Sequence, residues 1–173
     1  VTKLFFATDI HGSDICWTKF LNAGKFYEAD ILILGGDMTG KAVDPVVHQG
    51  GDTYRIILLE QEFVTTNEDE LNDMIKRIRS RGYYPYITNP DEIAELDKNP
   101  DRVSEIFKQQ VLKVVQQWMD LADKKLDGTD LKVYCSPGND DMEEVDEIVR
   151  CSKRVLLVEG QVTQLDAHHE MIA

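Results

Sequence analysis

The sequence predicts a layered α/β fold in which mixed β-sheets, flanked by helices and interrupted by a helical insert, present polar loops along one edge. Two observations lead there. Strand-like apolar runs alternate with helical periodicity near both ends of the chain. Three of those runs stop abruptly at ligand-type side chains: Asp9 and His11, then Asp37, then Asn139 and Asp140.

Taken in order, Lys3 to Thr8 reads KLFFAT and ends in Asp9, Ile10, His11 and Gly12, the pattern of a buried strand running into a loop. Ser13 is placed to cap a helix over residues 14–27, with Ile15, Trp17, Phe20 and Leu21 on its apolar side. Residues 30–34 are strand-like again and close on Gly35, Gly36 and Asp37. A strand–helix–strand unit crosses over right-handed and leaves its strands parallel. Asp9, His11 and Asp37 then converge at the carboxyl ends of the strands, where ligands of open α/β sheets sit.

Residues 40–53, rich in Gly, Asp and Pro, read as a loop, and residues 54–59 as a strand. A helical insert is expected over about residues 62–128. Asn67 and Glu70 have capping-box spacing, and Leu71, Met74, Ile75 and Ile78 recur at helical intervals until Gly82. A longer helix follows Pro100, with Val103, Phe107, Val111, Val114, Trp118, Leu121 and Ala122 marking one face as far as Asp127 and Gly128. Tyr83 to Tyr86 reads as a connector. Residues 131–135 return to strand character and end in Ser136, Pro137, Gly138, Asn139, Asp140 and Asp141. The acidic set that follows opens a short helix to about Arg150, where negative side chains suit the helix dipole. Residues 154–158 and 161–165 are strand-like, with a turn at 166–169.

The 173 residues, 42% hydrophobic, accommodate one domain with a full core. No stretch approaches the roughly 20 apolar residues of a membrane span, and the first apolar run is too short for a signal peptide, so a cytoplasmic setting is expected. A net charge of −13 repels a phosphate backbone, which disfavours nucleic acid as a partner and favours a small phosphate-ester substrate. Cys16, Cys135 and Cys151 are odd in number and lack CxxC spacing, the usage of reduced, mostly buried thiols.

Carboxylate, imidazole and amide oxygen suit Mn, Fe, Ni or Zn better than calcium. The order Asp9-x-His11, Gly36-Asp37, and Gly138-Asn139 followed by Asp140-Asp141, each after a strand, resembles the calcineurin-like metallophosphoesterases. The stretches FFATDIHGS and ILILGGDMTG are similar to that family's opening blocks in wording as well as spacing, and the resemblance covers roughly residues 3–40 and 131–165. It implies a metallophosphoesterase-type fold and two divalent metal ions, manganese favoured. Asp9 and His11 would bind the first, Asp37 would bridge both, and Asn139 would bind the second while facing the phosphate. Such a pair holds phosphate oxygens and generates a hydroxide that attacks phosphorus in line.

Two departures from the family pattern shape the expected activity. Asp140 stands where the commonest block has a His that assists the leaving group, and an ionised carboxylate there repels phosphate unless it is protonated or turned aside. Asn139 and Asp140 are thus the candidate catalytic residues, with phosphodiesters the preferred substrates. The family's further His and its Gly-His-x-His block are not among these residues. His168 and His169 are the late candidates and read as part of a hairpin, so the domain is expected to continue beyond Ala173. The competing readings are a non-catalytic interaction module that keeps the fold, and a nuclease, which a basic groove would favour. Among the other polar residues, Asp141 reads as a cap or an orienting group and His48 as solvated surface. Tyr83, Tyr84 and Tyr86 fit either stacking on a nucleoside or packing. The insert reads as a cap or shoulder beside the site, suited to setting substrate choice or to contact in a homo-oligomer.

Overall fold

Apolar runs flanked by turn residues set the first unit: β1 (Leu4–Ala7), α1 (Asp14–Tyr27) and β2 (Ile31–Gly35) form where the alternation predicts, but β1 is an edge strand that exposes Leu4 and Phe6 instead of burying them, and Ile15 is exposed on α1. The computed structural model describes residues 1–173. The chain continues through β3 (Val43–Gly50), β4 (Thr53–Leu58), β5 (Gln61–Thr65), α2 (Glu68–Ser80), β6 (Tyr84–Thr88) and α3 (Pro90–Leu96). It then runs through α4 (Pro100–Lys125), β7 (Lys132–Ser136), α5 (Glu144–Cys151) and β8 (Val155–Leu157) to a hairpin of β9 (Val162–Gln164) and β10 (Glu170–Ile172). No helix is long and apolar enough to cross a membrane.

The first sheet has the order β1-β2-β7-β8 and is parallel throughout. Parallel sheets are covered on both faces, which explains why β2 is the unbroken apolar run ILILG. Leu32, Leu34, Val133, Cys135, Val155 and Leu157 share a core with Trp17 and Phe20 of α1, Val114 and Trp118 of α4, and Val145 and Val149 of α5. Their neighbours Ile31, Ile33 and Tyr134 face the other way, against Leu165, Met171 and Ala173 of the C-terminal hairpin. The indoles of Trp17 and Trp118 stack at 5.2 Å, and Trp118 Nε1 donates to Asp14 Oδ1 at 2.7 Å, fixing α4 across α1.

A second, mixed sheet has the order β5-β4-β3-β6, in which β3 and β6 are parallel and the other pairs antiparallel. It builds a separate small core from Val46, Ile56 and Leu58 against Leu71, Met74 and Ile78 of α2.

This sheet is where structure and sequence reading part. The supposed loop over residues 40–53 contains β3, a central strand. Pro45 obscured it, yet β4 begins to pair only at Val46, so Pro45 occupies a stretch with a neighbour on one side only. The tyrosine-rich connector is β6, an edge strand that tolerates Pro85. The supposed helical insert also divides: β5, α2, β6 and α3 belong with the second sheet, whereas α4 packs in the main core. On α4, Val103 and Leu121 are exposed, and the buried stripe is Ile106, Val111, Val114, Val115, Trp118, Met119 and Ala122. Of the thiols only Cys135 is buried; Cys16 near the start of α1 and Cys151 at the last position of α5 are exposed, so the expectation of mostly buried thiols fails for two of the three.

Candidate metal centre

Because β1, β2 and β7 are parallel, their carboxyl ends share one edge, and the three polar loops meet there. The pairing of β1 with β2 continues beyond the strands. Asp9 N–H donates to Gly36 O at 3.1 Å, His11 N–H to Asp37 O at 3.0 Å and Gly12 N–H to Met38 O at 2.8 Å. Thr8 Oγ1, 2.7 Å from Asp9 Oδ2 and 2.8 Å from Gly35 O, ties the Asp9 carboxylate to the end of β2.

One ligand atom from each of Asp9, His11 and Asp37 lies within 4.8 Å of the other two. All three residues hold left-handed backbone, with φ of 56°, 44° and 48°. Side-chain-bearing residues rarely adopt that conformation, and where they do the strain concentrates at functional sites. His11 Nε2 is 3.6 Å from Asp9 Oδ1, while His11 Nδ1 is buried without a hydrogen-bond partner. Two carboxylates and an imidazole gathered around one point fit a borderline divalent cation.

The third loop closes on Asp37. A Cβ at Gly138 would fall 2.1 Å from Asp37 Oδ1, so only glycine lets the chain pass so close. Asp140 N–H donates to the same Oδ1 over a long 3.4 Å. Asn139 is exposed on this loop, its Nδ2 donating to Asp140 Oδ1 at 3.1 Å.

Asp141 does not cap α5, whose first turn has no side-chain cap. Its carboxylate fastens two of the site's loops: Oδ1 accepts from Thr39 N at 2.8 Å and Thr39 Oγ1 at 2.6 Å, and Oδ2 from Gly138 N at 2.8 Å and Met38 N at 3.1 Å. The orienting role expected of it is the one it has.

Asp140 is turned onto a cation. Its Oδ2 is 2.8 Å from Lys41 Nζ, and the hydrogen bond and charge of Lys41 hold its carboxyl below the usual carboxylate range. Lys41 is raised in turn, first by Asp140, with Asp37 and Asp9 adding their charge. Sequence reasoning missed Lys41, for a lone lysine four residues after Asp37 carries no spacing signal.

Other candidates lie elsewhere. His168 and His169 sit in the β9–β10 turn, where His169 Nδ1 is 2.8 Å from Asp166 Oδ1. With Val1, Leu4 and Ile31 they line a cavity at the amino ends of the strands, the edge opposite the ligand cluster. His48 Nε2 is 2.7 Å from Gly51 O at the tip of the β3–β4 hairpin. Tyr84 is buried, its hydroxyl accepting from Gly40 N at 2.7 Å, and Tyr86 donates to Glu92 Oε1 at 2.9 Å, so packing accounts for both.

No family model, curated protein or solved structure matches the chain. What stands on this chain's own geometry is an α/β protein whose parallel strands gather Asp9, His11 and Asp37 into a cluster able to hold a metal ion.

Proposed function

We propose that the chain is a metal-dependent phosphoesterase that hydrolyses small phosphate esters, phosphodiesters in preference. The observation that carries this reading is the convergence of Asp9, His11 and Asp37 at one sheet edge on three left-handed backbone positions. The ordered blocks that resemble calcineurin-like metallophosphoesterases supply the chemistry. Asp9, His11 and Asp37 would hold one divalent cation, and Asp37 with Asn139 a second, manganese being favoured. Bound cations would supply Lewis acidity and an activated water.

The chain's own residues do the rest. Asp37 sits between the second and third loops, with Gly138 packed against its carboxylate and the Asp140 N–H donating to it. Asn139 presents an uncharged amide beside it, suited to a phosphate oxygen. Lys41 balances the charge of Asp140, so the third loop does not repel an anionic substrate. With a carboxylate in place of an imidazole, the loop lacks a strong proton donor for the leaving group. That favours esters with good leaving groups, and the resemblance adds the diester preference, since members of that family lacking this His are often phosphodiesterases.

The test is hydrolysis of nitrophenyl and bis-nitrophenyl phosphate by chelator-treated protein, with and without added manganese, alongside elemental analysis. Manganese-dependent turnover with the diester preferred is expected. No turnover and no retained metal would sink the reading. Asp37→Ala should lower kcat/KM by more than about a hundredfold, beyond the loss of a ligand's supporting partner; unchanged activity would overturn the ligand assignment.

The alternative is a non-catalytic interaction module on the same scaffold. One observation favours it: His168 and His169 line the opposite edge, which leaves the second cation position with Asp37 and Asn139 from these residues. A protein that binds manganese but turns over neither ester would favour this alternative.

A further inference from the structure

The C-terminal half of α2 and its surroundings hold Lys76, Arg77, Arg79 and Arg81 within six residues, in a chain of net charge −13. Two of these cations, Lys76 and Arg79, join Lys19 in a groove of about 880 Å³ between α1 and α2, floored by Ile15 and Ile75. Helical residues three apart lie on one face, about 5–6 Å from each other, so Lys76 and Arg79 form a row that Lys19 faces from the other helix.

The guanidinium is under-satisfied. Arg79 Nε is buried with no hydrogen-bond partner, and Nη1 has only a loose 3.8 Å approach to Asp14 Oδ2. Asp14, the groove's one lining carboxylate, already accepts from Trp118 Nε1 through its other oxygen. Lys76 pairs with Asp73 at 3.2 Å, but both side chains are more than two-thirds exposed, so water and salt compete with the contact. With Nε sealed inside and one long carboxylate approach at Nη1, the partly exposed Nη end of the fork lines the groove without a close acceptor, and a phosphate matches its two nitrogens bidentately.

We propose that this groove binds a ligand carrying two or more phosphate groups, with Arg79 as its main donor and Lys19 and Lys76 as flanking cations. Its upper end adjoins the metal centre. Ser13 Oγ donates to Ser80 O at 2.8 Å, and a Cβ at Gly82 would fall 1.8 Å from His11 O, so the groove begins where the ligand loop ends. If the phosphoesterase reading holds, the groove takes the phosphates beyond the one being hydrolysed. Its binding chemistry stands without that reading.

The experiment is calorimetric titration of inorganic tripolyphosphate, and separately of a short single-stranded oligonucleotide, into the full chain at low salt with chelator present. Amide shifts are followed in parallel. Chelation removes the cations of the proposed catalytic site, so failure of hydrolysis and failure of this proposal are distinguishable. Saturable binding of tripolyphosphate is expected, with shifts at Thr18, Asn72 and Arg79. Arg79→Gln should weaken it about tenfold, the loss of a charge-assisted hydrogen bond, and Arg79→Lys less. A Lys19→Gln/Lys76→Gln double variant, altered only at exposed side chains, should weaken it several-fold even if Arg79→Gln folds poorly. Arg81→Gln, outside the groove, should leave it unchanged. Tighter binding of the oligonucleotide that depends on the same residues would also support the site and identify its phosphates as those of a nucleic acid strand. Absence of saturable binding of either probe, or equal weakening by Arg81→Gln, would overturn the proposal.

Discussion

Asp9, His11 and Asp37 are three of the six non-glycine residues in left-handed backbone, and the others, Glu28, Leu59 and Glu60, sit at a helix end and a hairpin turn. Such residues cost of order 1–3 kcal/mol each and persist where the surroundings over-determine them. Asp141 does so for Asp37, while Asp9 and His11 are held by their own N–H donation to Gly36 O and Asp37 O. The Asp141 carboxylate accepts four hydrogen bonds from the loops that carry Asp37 and Asn139. Asp141→Ala strands those donors and should destabilise the protein by about 2–3 kcal/mol in urea unfolding. It should also weaken manganese binding, while Asp141→Asn, which keeps one acceptor oxygen, falls between. Equal manganese affinity in all three proteins would show that the loops hold their geometry without it.

At the scale of the element, asparagine starts three helices, α2 and α3 beside the second sheet and α4 in the main core. Asn67, Asn89 and Asn99 accept from the N–H groups of Glu70, Glu92 and Arg102, and Pro90 and Pro100 occupy first-turn positions. Asn67→Ala should cost about 1 kcal/mol in unfolding free energy. Two of these starts were legible in the sequence. The third, α3, was not, because seven residues are too few for a periodic apolar face and it buries none. What fixes α3 is Glu92, which accepts from Thr88 Oγ1 at 2.7 Å, Tyr86 Oη at 2.9 Å and Arg102 Nη2 at 2.9 Å. The Thr88 hydroxyl first, then that of Tyr86 and the charge of Arg102, hold its carboxyl below the ordinary 4.5. A depressed folded value means that the unfolded chain takes up the proton more readily. The stabilisation is therefore complete above about 4.5 and is lost as pH falls through the lower folded value. The gap in urea midpoint between wild type and Glu92→Gln should hold down to about pH 5 and close below it. A gap independent of pH would refute the assignment.

Over the whole molecule, the contact that joins the second sheet to the ligand loops is a meeting of three glycines. A Cβ at Gly40 would fall 1.9 Å from Gly82 O, and one at Gly12 would fall 2.7 Å from Gly40 N. Beside them Tyr84 Oη accepts from Gly40 N, and burial pushes the phenol up to about 12. Tyr84→Phe leaves that buried N–H unpaired and should cost about 1–3 kcal/mol. The raised folded value places a pH effect on the alkaline side: the contribution of Tyr84 is complete below the ordinary 10.0 and is lost as pH rises toward about 12. Stability of the wild type should fall through that window more steeply than that of Tyr84→Phe, measured by urea midpoints. Matching slopes would place the alkaline loss on other groups.

By itself the sequence determined the parallel unit and the polar edge. Continuous apolar runs in β2 and β7 specify buried parallel strands, with β1 their edge partner despite its exposed Leu4 and Phe6, and parallel strands must bring Asp9, His11, Asp37 and Asn139 to one side. The tertiary structure alone decided the rest. It made β3 a central strand despite Pro45, drew α4 into the main core, and supplied Lys41 as the counter-charge to Asp140. The physical reason is common to all three. Each depends on partners far apart in the chain, and neither local propensity nor residue spacing encodes which neighbour a strand, helix or charge will meet.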